Sequence, residues 1–341
     1  MIDTCLHING YNKVLFLAIG GGGDVALAST LALSYERCGK QAIVGSIIWE
    51  RYSVDPVPGP ISIDELFNTV KKTEDYAIVN ANTFAIRGGR VVIPQPANVS
   101  KFLKRNVIVF ELSKGAKGLA RAIENYMNSH GIEAVIGVDV GGDSLAEGFE
   151  DELWSPLADG ISVAALAHIK GSYLAVVCPG ADGELSLNYI EKRLRRIARL
   201  NGYLGGYILS RKDLEVLRNI LIEVISEAST IPLTVLSTDL DNIVIRNGSR
   251  EVRLSIMNLA VFLLDAVTVA RDTVARYIYD TDSFNEAKWI LNKLGIVTEY
   301  DIEEEIFNEI VQGRNCADID LVEIRNRLKN RLIKLHKPNE K

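Results

Sequence analysis

Paired cysteines are missing from this chain. Its four cysteines, Cys5, Cys38, Cys178 and Cys316, stand far apart and form no C-x-x-C pair. That excludes the common zinc-finger spacings, shows no secreted disulfide framework and leaves a single bridge open. Histidine is also scarce: His7, His130, His168 and His336 show no H-x-x-x-H spacing. There is no G-x-S-x-G elbow, which argues against an α/β-hydrolase, and no G-x-x-x-x-G-K-[ST] loop. Positive charge is not in excess. The formal net charge is −6, which argues against a general nucleic-acid binder, because a phosphate backbone needs clustered basic surface. No long hydrophobic run is present. The most apolar stretch, Met257 to Ala270, is interrupted by Asp265 and is too short to span a bilayer. Residues 1–10 have no apolar signal core. The chain therefore reads as cytoplasmic, with no membrane partner.

Glycine and acidic residues are abundant at the ends of short apolar runs. Val14 to Ile19 reads as a buried strand, Asp24 to Cys38 as a helix closed by Gly39, and Ala42 to Trp49 as a second strand. This is a βαβ unit, which implies parallel pairing. Further strands are expected at Tyr76 to Asn80, Asn106 to Leu112, Ala134 to Val140 and Tyr173 to Cys178. Helices are expected at Gly115 to His130 and Ile161 to Ile169, and a tight hairpin at Gly88-Gly89. Beyond about Leu187 the pattern turns helical: Asn188 to Leu200, Lys212 to Ala228, a long amphipathic helix Met257 to Ile278, and a charged helical end after Tyr300 with a frayed tail from His336. Asn247-Gly248 marks a second hairpin. The expected fold is α/β and Rossmann-like: a mostly parallel sheet flanked by helices, with a helix-rich C-terminal region containing a β-hairpin. Residues 1–205 would form the ligand-binding domain, and 206–341 a mainly helical region packed on it as one unit.

In an open parallel sheet, ligands bind outside the carboxyl ends of the strands. Four loops fall there. Gly20, Gly21, Gly22 and Gly23 precede Asp24; glycines let a ligand approach the backbone, and the next helix aims its amino end at the same spot. Gly21, Gly23 and Ala26 satisfy G-x-G-x-x-G/A, with Glu50 where a dinucleotide fold keeps its ribose-binding carboxylate. Asp24 would repel a pyrophosphate unless a cation intervened; it serves equally as an N-cap. Lys114 and Gly115 open the second loop, where a lysine beside free N–H groups suits an anion. In the third, Asp139, Gly141, Gly142 and Asp143 suit Mg²⁺, which takes hard oxygen ligands. A helix starting at Ser144 would put Asp143, Glu147 and Glu150 on one face, and Ser144 with Glu147 would make a capping box. In the fourth, Asp182 and Glu184 offer metal ligands or a general base. The run Lys192, Arg193, Arg195, Arg196, Arg199 reads as the wet face of a helix.

These residues carry a resemblance. Gly20 to Asp24, Trp49-Glu50-Arg51, Asp55-Pro56, Pro58-Gly59-Pro60, Asp139 to Glu150, Ser155-Pro156-Leu157 with Asp159, and Pro179-Gly180 with Asp182-Gly183-Glu184 together resemble the uncharacterised, mainly archaeal family called domain of unknown function 1152. The resemblance covers roughly the first 185 residues and implies a cytoplasmic prokaryotic protein. It assigns no activity.

Three functions follow as expectations. In the first, a metal-assisted enzyme acts on a nucleotide or phosphorylated metabolite: Gly20 to Gly23, Lys114, Gly115, Gly141 and Gly142 hold the anion, Asp24, Asp139 and Asp143 hold Mg²⁺, and Glu50 or Asp182 is the base. The second is an oxidoreductase using NAD(P) or FAD. The third is a non-catalytic sensor forming a homo-oligomer through its helical end. All require the four loops to meet on one rim of the sheet.

Overall fold

The computed structural model describes residues 5–8, 10–52, 54–315 and 318–336. Cys316 and the tail beyond His336 lie outside the described residues. Nine strands form the main sheet: β1 Lys13–Ala18, β2 Gln41–Ile47, β3 Lys71–Lys72, β4 Ala77–Val79, β5 Val107–Phe110, β6 Ala134–Val140, β7 Ser172–Val177, β8 Tyr203–Ile208 and β9 Ala260–Asp265. Their spatial order is β8-β9-β7-β6-β1-β2-β5-β4-β3. The five central strands, β7 to β5 in that order, run parallel; the pairs on either side are antiparallel.

The pattern of β1 explains its place. Val14, Phe16 and Ala18 point to one side and Leu15, Leu17 and Ile19 to the other, and each set belongs to a separate buried core. A strand buried on both faces must be apolar throughout. The helices α1 (Val25–Arg37) and α2 (Gln95–Leu103) cover the first face, and α3 (Gly115–His130) and α4 (Pro156–His168) the second. The chain steps outward from β1 through β2 to β5. It then returns to the other side of β1 for β6 and β7. This reversal opens a crevice between the carboxyl ends of β1 and β6.

The carboxyl half corrects three expectations. Met257 to Ile278 is no long helix. It is a short turn, then strand β9, then helix α8 (Ala266–Asp272) and a second turn. The run Val261-Phe262-Leu263-Leu264 suits a helix or a buried strand by periodicity alone. Pairing on both sides, with β7 and with β8, decides for the strand. That burial also removes the helix as a surface for self-association. Strand β8, in the span 200–211 between expected helices, forms the sheet edge. Lys212 to Ala228 splits into α6 (Arg211–Ile220) and α7 (Glu227–Thr234), because Ser226 caps a new helix by accepting from Ser229 N–H. Helix α5 (Leu187–Arg199) follows its pattern, except that Arg193 is buried, ion-paired with Asp272 at 2.8 Å. Helices α9 (Phe284–Lys293), α10 (Glu299–Val311) and α11 (Leu321–His336) complete the fold. Among the described residues, no helix is long and apolar enough to cross a membrane.

A disulfide joins Cys5 to Cys38 with Cα atoms 5.8 Å apart, tying the amino-terminal segment to the end of α1 across a sequence separation of 33. Closing a loop of that length restricts the unfolded chain. Cys38→Ser is therefore expected to cost about 3–4 kcal/mol of stability. Urea unfolding of the variant beside the oxidised protein measures it; coincident midpoints would show that the bridge contributes nothing.

Candidate functional site

The crevice holds a cavity of about 350 Å³. It gathers the first, third and fourth loops with the end of β2. Backbone bonds fix the register: Gly22 N–H donates to Trp49 O at 3.1 Å and Gly180 N–H to Gly141 O at 2.7 Å. Gly20, Gly21, Gly22, Gly23, Asp24, Glu50, Asp143 and Asp182 all line the cavity; Asp139 lies just beneath it, bonded to Ser144.

The second loop does not join them. Segment 281–283 seals the amino end of α3: Lys117 N–H donates to Thr281 O at 3.1 Å, and a side chain at Gly115 would lie 2.7 Å from Thr281 O. The Lys114 ammonium turns away to Glu74 O and Asp75. The expected anion site at Lys114 and Gly115 is filled by the protein's own chain.

The glycines make room for carboxylates. A Cβ at Gly20 would stand 2.7 Å from Asp24 Oδ2 and 3.0 Å from Asp159. One at Gly22 would collide with the Glu50 carboxylate, and one at Gly141 with that of Asp182. Gly141 also has φ +122°, a backbone conformation that favours glycine. Asp24 does not cap α1; its Oδ2 accepts from Gly20 N–H at 3.1 Å. No helix starts at Ser144. Residues 143–145 form a single 3-10 turn, and the Ser144 hydroxyl is spent on Asp139 instead of a capping box. The helix begins at Pro156, after Gly148, whose φ is +104°. Glu147 and Glu150 thus leave the site: Glu147 pairs with Arg193 and Glu150 accepts from Tyr189.

Two carboxylate triads result. Asp24, Asp139 and Asp159 bring oxygens within 4.8 Å of one another, and so do Asp143, Asp182 and Glu184. Helix α10 adds Glu299 and Glu303 from its first turns. Sequence reading gave these two no role. The signal was present: acidic residues at i and i+4 repel on a helix face and need a reason to be there. Asp159 stood in the family pattern without a role. Arg51 donates to Gly20 O at 2.6 Å, and Arg250 pairs with Glu184 at 2.9 Å. Arg246, on the Asn247-Gly248 hairpin, also lines the cavity.

The electrostatics are those of crowded, buried acids. Burial raises Asp24, Asp143 and Asp159 well above the usual carboxylate range, and neighbouring carboxylates add to it. Burial and Glu184 push Asp182 up to about 8. Glu50 is raised by burial to about 7, although Gln95 N–H donates to it at 2.8 Å. Glu303 is likewise raised by burial to about 7. Glu184 is the exception. Burial pushes it up, but Arg250, Ser155 and the N–H groups of Trp154 and Ser155 outweigh that and hold it low. Three oxygens, Asp159 Oδ1, Asp182 Oδ2 and Glu303 Oε1, are buried without a hydrogen-bond partner among the described residues. Such atoms are costly unless a ligand completes them.

Fold and site together define a doubly wound α/β protein with an acid-lined crevice at the reversal of its strand order. The chain belongs to the family described as protein of unknown function (DUF1152), which matches residues 15–307. No curated protein and no solved structure matches it.

Proposed function

We propose that this chain is a Mg²⁺-dependent enzyme acting on a nucleotide or another phosphate-bearing metabolite. One observation carries the reading: carboxylates able to hold a hard cation share a single cavity with the guanidinium groups of Arg246 and Arg250. Carboxylates alone would repel a phosphate. With Mg²⁺ between them, the ion attracts and polarises it, neutralising charge as it develops. Asp24, Asp139 and Asp159 are the proposed ligands of such an ion, with Asp143 in the adjoining triad. Gly20 to Gly23 line the cavity, while Gly141 and Gly142 lie behind it in the turn that carries Asp143. Arg246 and Arg250 grip the phosphate oxygens. Glu50, raised by burial to about 7 and lining the same cavity, is the proton acceptor.

The dinucleotide reading has less support. Ser226 sits against Gly23, where a pyrophosphate would rest: a Cβ there would lie 2.7 Å from its Oγ. A cytoplasmic location belongs to the same proposal. The Cys5–Cys38 bridge suits that compartment in hyperthermophiles, whose intracellular proteins keep disulfides.

The test is a thermal-shift panel of nucleotides and sugar phosphates, each with Mg²⁺ and with EDTA. A member of the panel is expected to raise the melting temperature with Mg²⁺ and not with EDTA. Product formation from that ligand then separates an enzyme from a sensor. If no phosphate compound shifts the melting temperature in either condition, the reading fails.

A further inference from the structure

We infer that the crevice binds two divalent cations rather than one, one at each carboxylate triad, and that Arg250 holds the place of the second. This rests on the metal-dependent reading above and deepens it. The triads draw on different elements. Asp24 follows β1, Asp139 ends β6 and Asp159 lies in the first turn of α4, whereas Asp143 follows β6 and Asp182 and Glu184 follow β7. Each triad contains a buried oxygen with no hydrogen-bond partner among the described residues: Asp159 Oδ1 in one and Asp182 Oδ2 in the other. Asp159 is 1% exposed and Asp182 is 6% exposed, and both line the cavity. The triads adjoin through Asp139 and Asp143 but share no ligand residue, and each offers three oxygens to an ion; Mg²⁺ takes such ligands at about 2.0–2.1 Å. Paired ions of this type clamp the attacking and leaving oxygens of a displacement at phosphorus.

The triads differ in how their charge is met. At the second, the Arg250 guanidinium lies 2.9 Å from Glu184 Oε1 and also donates to Asp182 O at 3.2 Å. At the first, the nearby cation, Arg51, gives its hydrogen bond to Gly20 O and stands 3.9 Å from Glu299. The first triad therefore takes an ion without displacing a cation. The second must move Arg250 off Glu184, which frees that guanidinium for a phosphate. Filling is sequential, and the second ion is the weaker.

Mn²⁺ titration of the full chain, without nucleotide, tests this by calorimetry and by loss of the free-ion electron paramagnetic resonance signal. Two Mn²⁺ per chain in two affinity classes are expected. Arg250→Gln is expected to tighten the weaker class by at least about tenfold, since a competing charge is gone. Asp182→Asn is expected to leave one ion, the tighter. The wild-type count needs no variant to fold. One ion per chain, or Asp182→Asn retaining two, overturns the pair while the metal-dependent reading stands. No bound ion overturns both.

Discussion

Asp159→Asn is expected to raise the melting temperature of the metal-free protein and to remove most of its stabilisation by Mg²⁺, leaving only that of the weaker ion. Asp159 is buried in the first turn of α4, and its carboxyl is crowded by Asp139, Asp24 and Glu299. An amide of the same shape removes the repelling charge and supplies an N–H₂ donor to acids that have few. Relief of like-charge repulsion in a buried site is worth about 1–3 kcal/mol, which corresponds to roughly 2–6 °C in a domain of this size. The gain grows as pH rises and the buried carboxyl is driven toward ionisation. The same change removes a ligand oxygen, so Mg²⁺ loses its hold. Melting curves in EDTA and in Mg²⁺ read both halves. A variant that is less stable in EDTA, yet stabilised by Mg²⁺ as fully as the parent protein, contradicts the assignment. Most buried polar substitutions destabilise, so a stabilised variant is a specific signature of a site strained by its own charge.

The second large effect is a stability that falls with rising pH in the metal-free protein. The sign follows from proton counting. Glu50 and Glu303 are raised from 4.5 to about 7, and Asp182 from 3.8 to about 8. Between those limits the folded chain holds protons that the unfolded chain has released, so ΔG of unfolding declines as pH rises. Their contribution is fully present below the ordinary carboxyl range and is lost by about pH 8. For Glu50 alone the loss is on the order of 3 kcal/mol. Glu184, held low, works in the opposite sense, but only below the ordinary carboxyl range and so outside this window. Divalent cations bind the deprotonated forms, so Mg²⁺ affinity climbs through the same window and binding releases protons. Urea midpoints at pH 5.5 and 8 in EDTA should favour pH 5.5, and saturating Mg²⁺ should narrow or invert the difference. Equal midpoints in EDTA at both values would mean that these acids are not strained.

Much of the frame was legible because local pattern and tertiary outcome agree there. Helix α3 occupies the span read from its apolar face and its terminating Gly131. Strand β6 coincides with the run read as Ala134 to Val140. The first βαβ unit follows from an apolar run, a glycine turn and an amphipathic segment. Several failures share one cause: a competing partner overrides the local signal. Val261 to Leu264 becomes strand because β7 and β8 flank it. Ser144 abandons a capping box because the Asp139 carboxylate is within reach. The site divides in the same way. Gly20 to Asp24, Glu50, Asp143 and Asp182 meet as the strand-end rule requires, and Asp139 joins Asp24, while Gly141 and Gly142 stay behind the cavity. Lys114 and Gly115 fail it because Thr281, far along the chain, occupies the helix end that a ligand would need. Glu299 and Glu303 arrive from α10, and Arg246 and Arg250 from the second hairpin, through contacts that no spacing rule encodes.

Cation binding against the cavity carboxylates underlies the proposed function, and anomalous scattering locates the ions directly. Crystals grown with Mn²⁺ and measured at its absorption edge should show density between Asp24, Asp139 and Asp159 and between Asp143, Asp182 and Glu184. A crevice without an anomalous peak under saturating Mn²⁺, with those carboxylates bonded only to protein and water, would contradict it.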